Sequence, residues 1–532
     1  MPPSRRAEPA REPRLPHPDR LATVQARVLD PARSPVADGS AGRPTAYVAD
    51  RVMIVKDRRT DPEDKKFKAT LDLLRQVASE HGWYVEQDAE TPKERDLQLG
   101  VFTVKVTATS SRRQPDAWHL LQFVRQTFGR DALRGVDLDH IVSTAPFSPA
   151  HWEIPHPNHW EIPHPDSGSA VSAGLLSYGQ PGFGGRQPIA YAGPAPTRDK
   201  PARGGRRPVV ALLDTGCYPH QWFDGGVVKT DVELNGQPIG YTGKASDPEV
   251  HGNLVGPLDG SVDRIAGHGT FIAGLVHQVC PDATILAWRG IETTKALVES
   301  EWLTTLAQIT ELVRLDREGK PGGHPIDVLS LSLGYYHEND ADDLLDPILW
   351  TILAELGRLG VVVVCSAGND ATERPCYPAA FAPWSNHQGP YPIRRNRVPV
   401  VSVGAQNPNA TDALFSNTGP WVRAYAPGAA LMSTMPPFNG GLQAVDKLTV
   451  LGRVRESVDP DDFHSGEGED GRRLGGFGLW SGTSFSAPVI AGRVAASMAR
   501  DLMKGASGKD AAAAVRRGWK AVEAETEIRR TE

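Results

Sequence analysis

The sequence has few cysteines, no excess of basic residues and no long hydrophobic run. Its 532 residues include only 4 Cys, which excludes a dense disulfide framework. Lys and Arg total 58 against 64 Asp and Glu, and this net charge of -6 argues against a dedicated nucleic-acid-binding protein. No apolar run approaches the ~18 residues that a membrane-spanning helix needs. We therefore expect a soluble protein that binds neither nucleic acid nor a membrane.

The beginning of the chain also lacks the pattern of a secretory signal. Such a signal needs an apolar stretch of about 7–15 residues after a positive start. The first residues instead read MPPSRRAEPAREPRLPHPDR, dominated by Pro and Arg. The sequence thus predicts a cytoplasmic protein with mostly reduced thiols. Export by a non-classical route stays open.

Composition divides the chain into five parts. Residues 1–45 are rich in Pro and Arg without an apolar period, so we expect a disordered arm. Residues 46–145 show strand and helix patterns in the order β-α-β-β-α-β, the split arrangement of ferredoxin-like α+β folds. A linker rich in Pro and Gly follows at 146–205. Residues 206–500 have an α/β pattern, and 501–532 are predicted to form a helical tail.

The linker contains a tandem octad, HWEIPHPN at 151–158 and HWEIPHPD at 159–166. Two copies are too few for a solenoid, which needs at least about three repeats. The octads carry four histidines, a common metal ligand, at His151, His156, His159 and His164. No Cys or carboxylate cluster accompanies them, so we interpret the octads as a proline-stiffened linker and keep a metal site as the alternative.

Between 206 and 500, short apolar runs alternate with helical segments. The runs include PVVALLDTG, ATILAWRG, IDVLSLSLG, VVVVCSAGN and VPVVSVGA. This alternation predicts a mostly parallel sheet with helices on both faces. In such sheets, binding and catalytic sites form at the carboxyl ends of the strands. The unusual residues of this chain fall at those ends.

Three segments supply the residue types of acyl transfer. VVALLDTG places Asp214 at a strand end, GHGTFIAG places His268 at a helix start, and SGTSFSAP places Ser484 just before a helix. Pro488 is expected in the first turn of that helix, where a missing N–H costs nothing. Acyl transfer needs a nucleophile, a base that takes its proton and a carboxylate that orients the base. The chain order Asp, His, Ser differs from the orders in chymotrypsin and in α/β-hydrolases.

The blocks DTG, GHGT and GTSFSAP resemble the three signature blocks of the subtilases, the subtilisin-like serine proteases. A fourth segment, SAGND at 366–370, resembles the strand end whose Asn donates to the oxyanion. The resemblance therefore assigns that role to Asn369, together with the backbone N–H of Ser484. A fifth segment, SLSLG at 330–334, resembles the strand that pairs with the substrate backbone. The likeness covers about 206–500.

The resemblance implies a subtilisin-like parallel sheet and a serine endopeptidase that cuts a protein or peptide substrate. Asp214, His268 and Ser484 would form the triad. The substrate-binding residues would be Ser332, Leu333, Gly334, Ala367 and Gly368. No cofactor and no catalytic metal are implied. A structural calcium ion is compatible with the family, but no Asp/Asn/Gly spacing fixes its site.

The sequence departs from the family pattern in two places. Phe271 stands where many relatives have His or another small or polar residue, and we expect it to affect packing only. Residues 438–478 form a polar, Gly- and acid-rich insertion, predicted to be a mobile surface loop; a calcium site or a substrate-gating flap is the alternative. Cys217 follows Asp214 closely and is interpreted as a small buried residue, with a thiol whose modification blocks activity as the alternative.

Subtilases often carry an N-terminal propeptide with the β-α-β-β-α-β order. The resemblance thus makes residues 46–145 an intramolecular inhibitor, although only the element order supports this. A permanent domain that recruits substrates or a regulator is the alternative. For the whole chain, the alternative function is a catalytically silent or highly restricted subtilase-fold protein that binds or regulates.

Overall fold

The structure is a computed structural model. It describes residues 13, 16, 18–31, 42–87, 97–109, 114–144, 178–179, 184–190, 192–254, 260–292, 294–339, 347–442, 444–448, 451–456, 458, 467, 471, 474–505 and 510–531. The histidine octads of the predicted linker lie outside the described residues.

The described helices are α1 (Pro18–Ala22), α2 (Lys65–Glu80), α3 (Ala117–Phe128), α4 (His268–Val279), α5 (Glu299–Arg317), α6 (Ile348–Arg358), α7 (Thr483–Met503) and α8 (Ala511–Glu525). The strands up to residue 240 are β1 (Ala26–Val28), β2 (Ala46–Asp57), β3 (Trp83–Gln87), β4 (Leu99–Ala108), β5 (Val136–Thr144), β6 (Gln187–Ile189), β7 (Val209–Asp214), β8 (Val228–Lys229), β9 (Glu233–Leu234) and β10 (Gln237–Pro238). The later strands are β11 (Thr284–Arg289), β12 (Leu297–Val298), β13 (Val328–Leu331), β14 (Leu333–Gly334), β15 (Val362–Ser366), β16 (Val401–Gln406), β17 (Ala424–Pro427), β18 (Leu431–Met435), β19 (Lys447–Leu448), β20 (Val454–Arg455) and β21 (Gly476–Trp480).

Seven parallel strands form the central sheet, in the order β17-β16-β15-β13-β7-β11-β8. Every residue of β7 is buried because helices cover both faces of the sheet. Val209, Ala211 and Leu213 face a core shared with α5 and α6. Val210 and Leu212 face a second core shared with α4, α7 and α8. The predicted parallel sheet with helices on both faces is confirmed.

The described residues between 18 and 144, which we call the N-terminal half, contain a second, antiparallel sheet. The described residues from 178 onwards, which include the central sheet, are the other half. Its four long strands lie in the order β5-β2-β4-β3. The element order along the chain is β-α-β-β-α-β, and α2 and α3 pack on one face around Trp83 and Trp118. Two short strands from the other half of the chain, β12 and β14, pair antiparallel with β5. Strand β5 therefore pairs with strands from both parts of the chain.

Part of the arm that we expected to be disordered is folded. Within 1–45, α1 and β1 are described, and β1 pairs antiparallel with β2. Leu21 and Leu29 are buried, and Arg27 forms an ion pair of 2.8 Å with Asp116. Sequence periodicity missed this segment because backbone pairing and two isolated leucines hold it, rather than a repeating apolar face.

Two further boundaries differ from the expectation. The predicted tail contains α8, whose Trp519 and Val522 are buried in the core shared with α7, so it is an integral layer of the fold. The predicted mobile insertion at 438–478 begins with Phe438 and Leu442, which are also buried in this core. Apolar residues thus anchor the start of the insertion despite its polar composition.

Some of the residues assigned to the linker belong to the same half as the central sheet. Strand β6 pairs with β21, which itself pairs with β18. Arg186, just before β6, donates to the carbonyl oxygens of Val262, Asp263 and Ala266 at 2.7–3.1 Å. None of the described helices is both long enough and apolar enough to cross a membrane. All four cysteines are free thiols.

Candidate active site

The predicted catalytic residues occupy element ends at the carboxyl edge of the central sheet. Asp214 is the last residue of β7, and His268 is the first residue of α4. Ser484 is the second residue of α7. Asn369 follows β15, two strands from β7. A parallel sheet brings these ends to one edge, as the sequence predicted.

Asp214 and His268 form a buried pair. Oδ1 of Asp214 lies 2.6 Å from Nδ1 of His268, and both side chains are almost completely shielded from solvent. Oδ1 also accepts the backbone N–H of Thr215 at 2.8 Å. The rings of Trp480 and Phe485 flank the imidazole at centroid distances of 5.8 and 5.4 Å. The carboxylate thereby fixes the imidazole tautomer and can stabilise its protonated form.

Asn369 is fixed against the helix that carries Ser484. Its Oδ1 accepts the backbone N–H and the hydroxyl of Thr483, both at 2.9 Å. The amide is therefore oriented with its NH2 group on the side opposite Thr483. The N–H of Ser484 lies in the first turn of α7, where backbone donors have no partner within the helix. This geometry suits the stabilisation of a developing oxyanion.

The predicted nucleophile, Ser484, and the predicted base, His268, are not hydrogen bonded to each other. Among the described residues, neither Oγ of Ser484 nor Nε2 of His268 has a hydrogen-bond partner. Both residues are fully buried. Hydrogen bonds between a nucleophile and its base are often long without substrate and tighten in the reacting complex, so the missing bond is compatible with acyl transfer.

Residues 205–517 match the model of the subtilase family, which is more than half of the chain. The chain belongs to the subtilase family. Among curated relatives, the subtilase is 25% identical over 246 residues to the major intracellular serine protease of Bacillus subtilis (strain 168), a match covering 44% of this chain and 61% of that protein. It is 26% identical over 309 residues to serine protease AprX of the same organism, covering 54% and 56%.

Mycosin-4 of Mycobacterium tuberculosis (strain ATCC 25618 / H37Rv) is 25% identical over 308 residues, covering 55% of this subtilase and 55% of that protein. The chain thus spans between about half and two thirds of the length of these relatives. Among solved structures, fervidolysin from Fervidobacterium pennivorans, a keratinolytic enzyme related to subtilisin, aligns at a TM-score of 0.41 and 17% identity. That alignment covers 89% of this chain and 59% of fervidolysin.

The position of Pro488 in this subtilase differs from the prediction. Helix α7 begins at Thr483, so Pro488 lies in the second turn rather than the first. Because proline has no N–H, the carbonyl of Ser484 cannot receive the usual bond from four residues ahead. The hydroxyl of Ser332 donates to that carbonyl instead, at 2.9 Å. The proline therefore allows a predicted substrate-binding residue to be tied to the nucleophile segment.

Gly368 adopts a backbone conformation that few other residues tolerate. Its φ is +103°, and a Cβ there would lie 2.4 Å from Nδ2 of Asn417. Asn417 donates through Nδ2 to the carbonyl of Ala367 at 2.9 Å and through its N–H to the carbonyl of Gly368 at 3.0 Å. Asn417 thus holds the turn that leads to Asn369, a role that no sequence motif indicated.

The predicted substrate strand of the subtilase is already paired. Leu333 and Gly334 form β14, and they lie opposite Thr144 and Ser143 of β5. Strand β12 pairs antiparallel with the preceding residues of the same strand, Val142 and Ile141. The end of β5 therefore pairs antiparallel with both β12 and β14, the second of which begins just after Ser332.

The sequence singled out Phe271 and Cys217, and both side chains pack against the core shared with α7. Phe271 is fully buried, and its ring lies 4.6 Å from that of Phe485, so the packing role predicted for it is confirmed. Burial raises the pKa of the Cys217 thiol well above its ordinary value, so this thiol is neutral near pH 7.

Sequence reasoning missed a buried carboxyl group beside the predicted catalytic residues Asp214 and His268. Glu249 is 2% exposed and contacts Thr215, Gly269 and Thr270, which lie in the DTG and GHGT blocks. No signal in the sequence marks it, because it lies in a polar loop without apolar period.

One group among the described residues has the spacing of a metal site. Ligand atoms of His140, His337 and Glu338 lie within 4.8 Å of one another. This group lies between β5 and the loop after β14, away from His268. The ring nitrogens of His140 are already hydrogen bonded to Glu299 at 2.6 Å and Glu338 at 2.8 Å, which satisfies the ring without a metal ion.

Proposed function

We propose that this subtilase is a serine endopeptidase that hydrolyses peptide bonds through an acyl-enzyme on Ser484. The observation that carries the proposal is the buried contact of 2.6 Å between Asp214 and His268, at the sheet edge where α7 presents Ser484. The family match and the serine proteases among the relatives support it.

In this mechanism, Asp214 holds the imidazole of His268 and stabilises its cation. His268 takes the proton of Ser484, whose Oγ attacks the peptide carbonyl. The NH2 of Asn369 and the N–H of Ser484 donate to the resulting oxyanion. Each such donor contributes roughly 10²–10³ in turnover. His268 then protonates the leaving amine, and water hydrolyses the acyl-enzyme. The chemistry requires no cofactor.

The substrate proposed for the site is an extended peptide. Leu333 and Gly334 pair with β5 by strand hydrogen bonds, and a substrate backbone would use the same groups. Ser332 links that strand to the backbone of Ser484, so a peptide paired there is guided to the nucleophile. A Cβ at Gly334 would lie 2.8 Å from Cys376 Sγ, which explains the glycine.

The N-terminal part, 46–145, is proposed to act as an intramolecular inhibitor. The end of β5 takes the place of a substrate strand beside β14. Two aspartates of β5 also bind helix N-termini of the other half: Asp139 accepts the N–H of Ser300 in α5, and Asp137 accepts the N–H of Ile348 in α6, both at 2.9 Å. These bonds satisfy backbone donors that have no partner within their own helices.

The same contacts limit the stretch of chain in which a cut could remove the N-terminal part. Strand β5 is paired up to Thr144, and Arg186 and β6 belong with the central sheet. A cut between 145 and 177 would fall after the last described pairing of β5 and before Tyr178, whose hydroxyl donates to Asn407 at 2.7 Å. A permanent recruiting domain, the alternative, would remain attached in the active enzyme.

Hydrolysis of unfolded protein tests the proposal. The wild-type chain is incubated with denatured casein, beside Ser484→Ala and the matched control Ser486→Ala, which removes a buried hydroxyl one half-turn further along α7. We expect the wild type and Ser486→Ala to release peptides and Ser484→Ala to release none. Equal hydrolysis by Ser484→Ala would overturn the proposal and favour a binding or regulatory protein.

A further inference from the structure

Glu249 is a buried carboxyl group that joins two segments of the chain, the one after Asp214 and the one after His268. It lies in the long loop before α4 and is 2% exposed. One carboxyl oxygen, Oε1, contacts the Thr215 hydroxyl and accepts the N–H of Gly269 at 3.1 Å. The other, Oε2, accepts the hydroxyl of Thr270. Both oxygens are therefore engaged by the DTG and GHGT blocks.

The hydroxyl of Thr215 stands between two carboxyl groups. Its oxygen contacts Oε1 of Glu249, lies 3.2 Å from Oδ1 of Asp214 and accepts the N–H of Gly269 at 2.7 Å. A hydroxyl has one hydrogen to donate. If Glu249 is ionised, the two carboxylates compete for that hydrogen. If Glu249 is protonated, it donates to Thr215, and Thr215 donates to Asp214.

The surroundings of Glu249 favour its neutral form. The titratable or charged groups around it are Asp214, Asp247, His268, Cys217 and Arg289. The guanidinium of Arg289 donates to the carbonyls of Tyr241 and Gly243 and lies 3.6 Å from Asp247. Burial, with smaller contributions from the carboxylates of Asp247 and Asp214, raises the pKa of Glu249 to about 8, although the hydrogen bonds from Thr215 and Thr270 lower it. Near pH 7 the group therefore carries its proton.

We propose that Glu249 is a positioning residue for the Asp214–His268 pair: as a neutral acid it directs the Thr215 hydroxyl onto Asp214, and loss of its proton withdraws that hydrogen bond. This inference rests on the proposed peptidase function. Glu249 touches neither substrate nor the reacting atoms. It acts through Thr215, which holds Oδ1 of Asp214 by its N–H and its hydroxyl.

The hydrogen bonds that run from Glu249 through Thr215 to Asp214, here called the relay, should change how activity depends on pH. When Glu249 loses its proton, Asp214 loses a donor and a second negative charge appears in the buried network. Both changes make the surroundings of His268 more negative, which favours a cation there over the neutral base that the proposed mechanism needs. Activity of the wild type should therefore rise with pH over a wider interval than a single ionisation gives.

Glu249→Gln tests the relay because the amide copies the neutral acid. Its NH2 can donate to Thr215, its oxygen can accept from Thr270, and it cannot ionise. The N–H of Gly269 loses its weaker acceptor on Glu249 but keeps the Thr215 oxygen at 2.7 Å. We measure kcat and KM on a peptide substrate, and the rate of fluorophosphonate reaction of the full chain, from about pH 5 to 9.5. Glu233→Gln, which removes an exposed carboxylate, is the matched control.

We expect Glu249→Gln to retain kcat within about threefold at neutral pH and to follow a single, steeper ionisation, while Glu249→Ala loses about tenfold or more in kcat with KM little changed. Glu233→Gln should keep the wild-type profile. A Glu249→Gln profile that matches the wild type, or a single ionisation in the wild type itself, overturns the relay. Failure of the peptidase proposal looks different: fluorophosphonate then fails to react with the wild type, or reacts equally with the wild type and Ser484→Ala.

Discussion

A buried hydrogen bond of 2.6 Å joins Nδ1 of His140, on β5, to the carboxylate of Glu299, the first residue of α5. Nε2 of the same ring lies 2.8 Å from Glu338. Burial alone would lower the pKa of His140, but the carboxylates of Glu338 and Glu299 outweigh it and hold this pKa well above the ordinary value. The two halves of the chain thus share a buried imidazolium.

Docking of the N-terminal half should weaken as pH rises. Because docking raises the pKa of His140, its contribution is complete below about pH 6.5 and is lost as pH climbs towards the raised pKa. Asp137 also makes docking weaken as pH rises, but over a lower pH range. Burial and Glu299 raise its pKa from 3.8 to about 7, so the docked form holds a proton that it loses as pH approaches 7.

Hydrogen exchange in the Ser484→Ala full chain, which cannot process itself under the proposal, checks this. Protection of Val136–Thr144 should fall between pH 6.5 and 9, after correction for the intrinsic rate, while that of Val209–Asp214 stays constant. His140→Gln should remove most of the pH dependence. Equal pH dependence in His140→Gln would contradict the prediction.

The proposed triad should behave as one unit. Ser484→Ala and His268→Ala should each abolish most peptidase activity, and the double variant should be scarcely worse than either, because each change already disables the same step. Peptide hydrolysis at saturating substrate measures this. Losses that multiply would separate the two residues into independent roles.

Gly368→Ala should lower kcat by about tenfold or more, because the added Cβ meets Asn417 and shifts the turn that carries Asn369. Gly225→Ala is the matched control: Gly225 also has a positive φ, +70°, but no neighbouring atom lies within 4 Å of a Cβ there. It should cost stability but leave kcat unchanged. Similar kcat losses in both variants would attribute the effect to strain alone.

Arg186→Ala should destabilise the fold by about 2–4 kcal/mol, because three carbonyls before α4 lose a charged donor. The guanidinium also lies 4.9 Å from the ring centre of Trp480, which flanks His268. Thermal unfolding of the full chain measures the loss. Arg203→Ala, at an exposed position, is the control and should leave Tm unchanged. An unchanged Tm in Arg186→Ala would contradict the anchoring role.

Short motifs predicted the positions of Asp214 and His268 in the fold, because the chain itself couples each residue to the end of a strand or the start of a helix. Asp214 closes a buried apolar strand and His268 opens a buried, largely apolar helix, so their positions on one sheet edge follow from alternating strands and helices. Glu249 was beyond reach: its neighbours are close in space only after the loop before α4 folds back. The same holds for Asn417, which acts on a strand end 50 residues away.

The wrong sequence interpretations came from relying on composition and on the positional preference of proline. The segment with α1 and β1 is held by pairing with β2, which no local pattern reveals. Pro488 was expected at a helix start because proline is common there. It lies inside α7 because Ser332 satisfies the carbonyl of Ser484 that proline leaves open.

The central claim is that Ser484 becomes the acylated nucleophile. Its most direct test is mass spectrometry of the wild-type full chain, sampled over a time course with a fluorophosphonate and then digested. We predict one adduct, on the peptide that contains Ser484, and none in Ser484→Ala or His268→Ala. No adduct at any time, or an adduct on a different residue, would contradict the account.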